Sequence, residues 1–177
     1  MDYIKLTTPL SSDTVSTLKA GDRVLLSGII YTARDAAHKK MQKAVENGEK
    51  LPFDIKNSVI YYAGPCPAKE DEIIGSCGPT TSGRMDFFAP TLISLGLTGM
   101  IGKGSRSNEV YTAMKEYKAV YFGATGGCGA LIAKCVKSVK EIAYPELLTE
   151  SVKELVVEDF PLTVIADCYG NCLYDRK

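Results

Sequence analysis

A single α/β domain is predicted for this chain, on three observations. Its 177 residues suit one domain, or one domain with a small appendage, because a chain of this length buries one sizeable core. Apolar, β-branched runs alternate with amphipathic segments of helical period, as strands and helices do when they follow one another. The sequence also contains no internal repeat, low-complexity tract or disordered linker. Residues 1–177 are therefore taken as one domain.

The N-terminal elements are two strands around a short helix. Residues 1–6 alternate weakly as a strand, and Ser11 begins a capping sequence for the helix that follows it. After a turn at residues 20–22, residues 24–30 are apolar and β-branched enough to form a buried strand. Ser27-Gly28 inside that strand indicates close backbone packing or a β-bulge.

The next helix carries the first candidate site residue. Thr32 is expected to be its N-cap, Asp35 stands where a capping-box carboxylate would lie, and Gly48 closes it. Arg34 then lies in the first helical turn, where a cation weakly opposes the macrodipole. A carboxylate ligand beside Arg34 would explain that placement, and an ion pair with Asp35 or another acid is the alternative. His38 is interpreted either as a hydrogen-bonded histidine or as a proton carrier.

The rest of the chain predicts further strands and helices. Residues 58–63 form a buried strand that runs into a rigid loop at 64–67, and residues 85–95 are helical, with Pro90 kinking or restarting the helix. Residues 99–105 are interpreted as a glycine-rich loop. The remaining predicted elements are helix 108–117, strand 119–122, helix 130–139, a helix or strand over 151–157, strand 162–166, a turn over 167–171 and strand 172–174.

The stretch Gly78–Asp86 places two glycines, a proline, three hydroxyls and one arginine in nine residues. Small residues let a ligand approach the backbone closely, and Arg84 offers a planar fork of donors that fits a carboxylate. The alternative is a turn whose serine or threonine caps a helix near Arg84. Lys103, between Gly102 and Gly104, offers a point-like cation for a carboxylate in a sequence that lacks the P-loop order.

Composition argues against several classes of partner. Lys+Arg and Asp+Glu are both 21, so the net charge is zero, which argues against a nucleic-acid or anionic-membrane surface. No apolar run approaches the roughly 20 residues of a membrane helix. The N-terminus has no signal-peptide pattern, so a cytoplasmic location is expected.

The six cysteines are scattered, with no Cys-x-x-Cys pair. Disulfides are not expected in a chain without an export signal, and the predicted state of all six is an ordinary buried or surface thiol. Cys168 and Cys172 flank a turn, so both could approach one metal ion. Structural zinc usually has four ligands at tighter spacing, and His38 is the only histidine.

Taken together, these motifs resemble one family. The chain is similar to the β subunit, or C-terminal region, of the iron–sulfur hydro-lyases of the class I fumarase and L(+)-tartrate dehydratase type. The resemblance runs from about Gly21 to the C-terminus. The stretches that carry it are Gly21-Asp22 with residues 24–30, Thr32–His38, Gly64-Pro65, Gly78–Asp86, Gly102–Gly104, Glu158–Pro161 and Asp167 with Gly170-Asn171.

The resemblance implies a swivelling β/β/α fold, a small mixed sheet or barrel flanked by helices. It implies a hetero-oligomer in which a separate α subunit holds a [4Fe–4S] cluster on three of its own cysteines, so that none of the cysteines in this chain is a cluster ligand. The implied reaction is the reversible dehydration of a 2-hydroxy dicarboxylate, with malate to fumarate as the first expectation. In that reaction the cluster would act as a Lewis acid toward the hydroxyl, and a base would remove the C3 proton. This chain lacks the α-subunit portion and would not catalyse alone.

The resemblance also assigns residues to the site. They are Arg34, Thr81, Arg84 and Lys103 for the substrate carboxylates, Thr80 for catalysis, and Asp35 and His38 as support. Thr80 would place its hydroxyl near C3 as a candidate base. An unperturbed threonine is a very poor base, so this role requires a neighbouring group or a strong positive field.

Three alternatives stay open at this stage. The first is the β subunit of L(+)-tartrate dehydratase, whose substrate differs by one hydroxyl. The second is a non-catalytic swivelling domain that binds a small anion or serves assembly. The third is a redox or metal module built on Cys168 and Cys172.

Overall fold

The computed structural model describes residues 3–175, which form seven β-strands and five α-helices. The strands are β1 Ile4–Thr7, β2 Arg23–Thr32, β3 Val59–Tyr61, β4 Gly99–Gly102, β5 Val120–Gly123, β6 Val136–Ala143 and β7 Val152–Ala166. The helices are α1 Ser12–Thr17, α2 Asp35–Glu46, α3 Ala89–Ser94, α4 Asn108–Tyr117 and α5 Gly129–Ala133. Short 3₁₀ turns cover Ser82–Met85, Pro145–Glu150 and Leu173–Asp175.

Five of the strands close into a small barrel. Strands β1 to β5 lie side by side in that order and are all parallel. Strand β7 runs antiparallel to both β5 and β2, which closes the ring β2-β3-β4-β5-β7. Strand β1 extends the sheet beside β2, and β6 pairs with β7. The expectation of a small mixed sheet or barrel flanked by helices is confirmed.

Alternate residues of the barrel strands face two separate cores. In β3, Val59 and Tyr61 belong to a core that gathers side chains from all five barrel strands and α1. Ile60, between them, and Tyr62, just after the strand, belong to a second core with α2, α3 and α4. Because side chains of a strand point alternately to its two faces, the barrel is filled on the inside and covered by helices on the outside.

The bulge expected at Ser27-Gly28 is confirmed. The register between β2 and β7 shifts between Leu26 and Gly28, and the Ser27 hydroxyl accepts a hydrogen bond of 3.0 Å from the Asp159 amide. Gly28 has a φ of +107°, and a Cβ there would collide with the Thr8 hydroxyl. A glycine is therefore required where the barrel strand bends.

The predicted start of the arginine-bearing helix was wrong by two residues. Thr32 is the last residue of β2, where it pairs with Tyr61 and Lys153, and its hydroxyl accepts a hydrogen bond of 3.2 Å from the Lys153 amide. Arg34 takes the N-cap position in extended backbone, and α2 begins at Asp35. Pairing with strands on both sides holds Thr32 in the sheet and outweighs its local preference for a cap.

Five other predicted elements differ from the structure. The helix predicted over 85–95 is shorter, because α3 begins at Ala89 with Pro90 in its first turn and ends at Ser94. Residues 99–102, interpreted as part of a loop, form the buried strand β4, because β3 and β5 both pair with them. The helix predicted over 130–139 ends at Ala133, since residues 136–143 pair with β7. The predicted segments at 151–157 and 162–166 are one continuous strand. The strand expected at 172–174 is only an isolated bridge at Cys172 followed by a 3₁₀ turn.

The predicted strand over residues 1–6 is confirmed from Ile4 onward, and Met1 and Asp2 lie outside the described residues. Within residues 3–175, no helix is both long and apolar enough to cross a bilayer.

Candidate active site

The candidate residues follow the carboxyl ends of neighbouring parallel strands. Arg34 stands two residues after β2, Gly64 three residues after β3, and Lys103 directly after β4. Since these strands are parallel and adjacent, their carboxyl ends lie on the same edge of the sheet. This edge is where ligands bind in open parallel α/β sheets. The topology therefore brings the predicted carboxylate-binding residues to one side of the barrel.

The Thr80 loop, residues Gly78–Asp86, lies along the end of β4. The Thr80 amide donates to the Tyr62 carbonyl at 2.7 Å, and the Lys103 amide donates to the Thr80 carbonyl at 3.3 Å. The Ser82 amide donates to the Lys103 carbonyl at 2.9 Å, and Thr81 forms a parallel bridge with Lys103. The backbone alone thus places Thr80, Thr81 and Lys103 next to one another.

Arg84 of this loop and the neighbouring Lys103 present cationic side chains that are accessible and have no ion-pair partner among the described residues. Arg84 and Lys103 are exposed, and neither forms an ion pair with an acidic side chain of residues 3–175. Thr80 is partly buried, and its hydroxyl has no hydrogen-bond partner in the described part of the chain. Thr81 caps the 3₁₀ turn without a side-chain hydrogen bond, so the alternative reading of a hydroxyl-capped helix is not supported.

The second part of the site is the Arg34 corner, formed by Arg34, Asp35 and Glu150. The Arg34 Nη2 atom lies 3.3 Å from Glu150 Oε1 and 3.6 Å from Asp35 Oδ2. The other oxygen of Glu150 accepts a hydrogen bond of 3.1 Å from the Ala36 amide at the start of α2. Arg34 Nε is buried without a hydrogen-bond partner. Arg34 therefore has the acidic neighbours of the ion-pair alternative and still has a donor with no partner of its own.

Gly64 provides the room for this guanidinium. A Cβ at position 64 would stand 3.1 Å from both Cδ and Nη1 of Arg34. The rigid Gly64-Pro65 loop after β3 thus forms a wall of the Arg34 corner. Glu150 was not predicted from the sequence, because its role depends on a contact between α2 and a distant 3₁₀ turn.

His38 supports the Arg34 corner from within the core. Its ring is fully buried, and Nδ1 lies 2.9 Å from the Arg34 carbonyl. Because a carbonyl can only accept, Nδ1 carries the proton, and Nε2 is the unprotonated nitrogen, buried without a partner. Burial lowers the pKa of His38 to about 4. His38 is therefore neutral near pH 7, and its ring contacts Tyr62 edge-on with the centroids 5.5 Å apart.

Arg106 is a further charged residue beside the site, and it was not predicted from the sequence. Its side chain is completely buried, and Nε donates to Asp86 Oδ1 at 2.6 Å. Burial opposes its charge, but the neighbouring Tyr62 and Asp86 outweigh that effect and raise the pKa of Arg106. The pair lies at the end of the Thr80 loop and connects it to the segment after Lys103.

The described cysteines do not form a ligand set for a metal. No group of three or more His, Cys, Asp or Glu side chains within residues 3–175 could hold a metal ion. Burial raises the pKa of the Cys77 thiol to about 12. Cys168 Sγ is directed at the Val15 carbonyl, 4.0 Å away, and Cys172 Sγ lies 3.4 Å from the Tyr111 hydroxyl.

The sequence model of the family described as Fumarase C-terminus matches residues 1–177. The chain belongs to this family. The resemblance to class I fumarases and L(+)-tartrate dehydratases stated from the motifs is thereby confirmed.

Named relatives of this fumarase C-terminus chain fall into two groups. It is 42% identical over 164 residues to "Fumarate hydratase 2" of Leishmania major, and 41% identical over 156 residues to "Fumarate hydratase class I, aerobic" of Escherichia coli K12. It is also 42% identical over 173 residues to "Putative L(+)-tartrate dehydratase subunit beta" of Methanocaldococcus jannaschii. These alignments cover 92%, 87% and 94% of this chain, respectively.

The two groups differ in length. The chain spans 29% and 28% of the two fumarate hydratases, and 89% of the M. jannaschii protein. It therefore corresponds to less than a third of the first two relatives and to most of the third.

Proposed function

We propose that this chain is the β subunit of a two-chain hydro-lyase that interconverts malate and fumarate together with a cluster-bearing α subunit. The observation that carries the proposal is the Thr80 loop beside Lys103. It presents an unpartnered hydroxyl and two exposed cations, Arg84 and Lys103, that are paired with no acid of the described chain. A dicarboxylate supplies the anions such a surface lacks.

In this proposal, the cations bind and orient the substrate. Arg84 and Arg34 each offer the planar fork that matches a carboxylate, and the Lys103 ammonium adds a point charge. Two carboxylates held at separate cations fix both ends of a four-carbon diacid. The carbon that loses its proton is then held in one position relative to the chain.

Thr80 is proposed to face C3 and to receive its proton during dehydration. The Thr80 carbonyl accepts a hydrogen bond from the Lys103 amide, so the two residues are neighbours along the backbone. A cation brought to the Thr80 hydroxyl would favour its ionised form. The hydroxyl has no internal partner to replace. A neighbouring group on the α subunit would complete its activation.

The cofactor is proposed to belong to the α subunit. A [4Fe–4S] cluster needs an ordered set of cysteine thiolates, and the described residues offer no such set. When present, it would supply Lewis-acid assistance to the departing hydroxyl. The contribution of this chain is to bind the carboxylates and to accept the C3 proton at Thr80.

The test is reconstitution of the complex. The chain is co-expressed with the α-subunit gene, the complex is purified without oxygen, and hydration of fumarate is followed. We expect activity in the complex and none in this chain alone, which should also be colourless. Lys103→Gln should reduce kcat/KM, while Lys5→Gln, an exposed lysine on β1, should leave it unchanged. A cluster-loaded complex that turns over no 2-hydroxy dicarboxylate would refute the proposal.

The second candidate is an L(+)-tartrate dehydratase. The M. jannaschii relative favours it, because that protein carries the subunit name and is covered over 89% of its length. The ratio of kcat/KM for malate and L-tartrate on the same complex decides between the two. A non-catalytic anion-binding domain would instead bind dicarboxylates without forming an active complex.

A further inference from the structure

Arg106 connects the two segments that carry the candidate site. Its Nε donates to Asp86 Oδ1 at 2.6 Å, and the amide of the next residue, Ser107, donates to Asp86 Oδ2 at 2.6 Å. Both oxygens of the last residue of the Thr80 loop are therefore held by consecutive residues of the segment that follows Lys103. The side chain of Arg106 is completely buried, so this contact is shielded from solvent.

Two tyrosines enclose the guanidinium and extend the connection. The Arg106 Cζ atom lies 5.2 Å from the Tyr62 ring centroid and 5.1 Å from that of Tyr121. The Tyr62 carbonyl is the acceptor for the Thr80 amide. The Tyr121 hydroxyl donates to the Gly104 carbonyl and accepts from the Ser82 hydroxyl, both at 2.8 Å.

The contacts of Arg106 with Asp86, Tyr62 and Tyr121 lead to the residues around the site, either directly or through one further hydrogen bond. Its Nη1 also donates to Met100 Sδ in β4, at 3.3 Å. Asp86 and Ser82 belong to the Thr80 loop, Gly104 follows Lys103, and Tyr62 holds Thr80 itself. None of these contacts reaches the Arg34 corner directly. Arg106 is placed to set the distance between the Thr80 loop and Lys103.

Stability alone does not account for a charged pair at this place. Two desolvated charges lose hydration that their attraction only partly returns, and apolar residues of similar volume often stabilise a core equally well. A fully hydrogen-bonded buried network instead favours one geometry over its neighbours. We therefore expect the pair to hold the site residues in one geometry and not to add much to the free energy of unfolding.

We propose that Arg106, paired with Asp86, is a positioning residue that holds Thr80, Arg84 and Lys103 in the geometry needed by the site. The catalytic part of this inference rests on the proposed function. The structural part is that the Arg106–Asp86 pair clamps the Thr80 loop to the segment after Lys103, and it does not depend on that function.

The decisive variant replaces both charges together. Asp86→Asn with Arg106→Met removes the ion pair without leaving a lone buried charge, so the fold is expected to survive. A displacement of about 1 Å at a reacting group costs about 100-fold, and we expect kcat/KM of the complex to fall by about that factor. Arg106→Lys, which keeps the charge but loses the fork, should fall between wild type and the double variant.

Leu18→Ala is the matched control for stability. Leu18, the C-cap of α1, is fully buried in the barrel core and belongs to neither the Thr80 loop nor the Arg34 corner. It should lower the melting temperature at least as much as the double variant and leave kcat/KM within about threefold of wild type, because the site geometry is untouched. An equal loss of kcat/KM in both proteins would overturn the positioning role.

Amide hydrogen exchange on the full chain tests the clamp independently of activity. In the double variant, the amides of Ser82, Lys103 and Ser107 should exchange at least tenfold faster, while the Val120 amide, bonded to Thr98, should not change. Unchanged exchange at the three amides overturns the inference. If exchange responds but the wild-type complex hydrates no substrate, the clamp stands and the proposed function fails.

Discussion

Two arginines of the candidate site have the same predicted task and opposite surroundings. Arg34 is 24% exposed and lies within 4 Å of two acids of its own chain, Asp35 and Glu150. Arg84 is exposed and has no acidic partner in residues 3–175. A carboxylate arriving at Arg34 must compete with internal acids, whereas at Arg84 it meets no acidic competitor from residues 3–175. The Arg34 corner is therefore prearranged by the chain, and the Thr80 loop is left for a ligand or partner to complete.

The largest expected effect separates chemistry from binding. Thr80→Val keeps the shape and removes the hydroxyl, so kcat of the complex should fall by about 10²–10⁴-fold if Thr80 transfers the C3 proton. The melting temperature should change little, because the hydroxyl makes no hydrogen bond within the described chain. Steady-state kinetics and thermal unfolding on the same preparation provide the measurement.

Thr81→Val is the matched control for this change. Thr81 is exposed and its side chain makes no capping bond. It should affect KM more than kcat, since only carboxylate binding is assigned to it. Near-wild-type turnover by Thr80→Val would remove the catalytic role and leave the loop as a carboxylate clamp around Arg84.

The next effect is the loss of unfolding free energy at acid pH that the buried His38 causes. The pKa of His38 is about 4 in the folded protein and 6.5 in an exposed histidine. Between these values the unfolded chain binds more protons, so the free energy of unfolding rises with pH across this window. At 1.36 kcal/mol per pKa unit, about 3 kcal/mol is lost as the pH falls from 6.5 to 4. Well above pH 6.5 the histidine is neutral in both the folded and the unfolded chain, so it no longer contributes to the pH dependence of stability.

His38→Phe isolates this contribution from the titration of carboxylates. Urea unfolding from pH 4 to 8 should show a shallower pH dependence in the variant by about 3 kcal/mol over that window. The backbone amide at position 38 still donates to the Arg34 carbonyl, so the start of α2 keeps that bond. Parallel stability curves for the two proteins would contradict a neutral buried His38.

The third effect tests the two arginines directly. Arg34→Lys and Arg84→Lys keep the charge and lose the bidentate fork, so each should lower kcat/KM of the complex by about 30-fold. Of the two changes, only Arg34→Lys should also lower the melting temperature, because Arg34 has ion pairs within the described chain and Arg84 has none. Equal destabilisation by both changes would contradict the view that the Arg34 corner is paired within the chain and the Thr80 loop is not.

The smallest effect is expected at Glu150. Glu150→Gln keeps an acceptor for the Ala36 amide and removes the charge facing Arg34, so stability should fall by about 1 kcal/mol. KM should decrease slightly, because an internal competitor for the guanidinium is weakened. A higher KM would mean that Glu150 orients Arg34 and does not compete with the substrate.

Local pattern predicted much of the fold. Helix α4 covers residues 108–117 as expected, and the buried strands at 24–30, 58–63 and 119–122 lie within two residues of β2, β3 and β5. These segments have apolar spacing that shows their period without knowledge of their neighbours. The Thr80 loop and Lys103 were also recognised from the sequence, since small residues around a cation form a local signal.

What the sequence did not predict depends on distant pairing. Strand β4 has four residues, two of them glycine, and becomes a strand only because β3 and β5 enclose it. Glu150 and Arg106 were missed for a related reason. Glu150 contacts Arg34, and Arg106 contacts Asp86. Neither contact follows a spacing along the chain that would predict it.

Strand β7 also imposes an order on the formation of the protein. Residues 23–32 acquire their antiparallel neighbours from residues 153–163, near the other end of the described chain. During synthesis the barrel stays open until that last long strand leaves the ribosome, and β2 and β5 present unpaired edges meanwhile. Such long-range closure also slows folding. A chain released before β7 would therefore expose the strand edges of β2 and β5 that β7 covers in the folded protein.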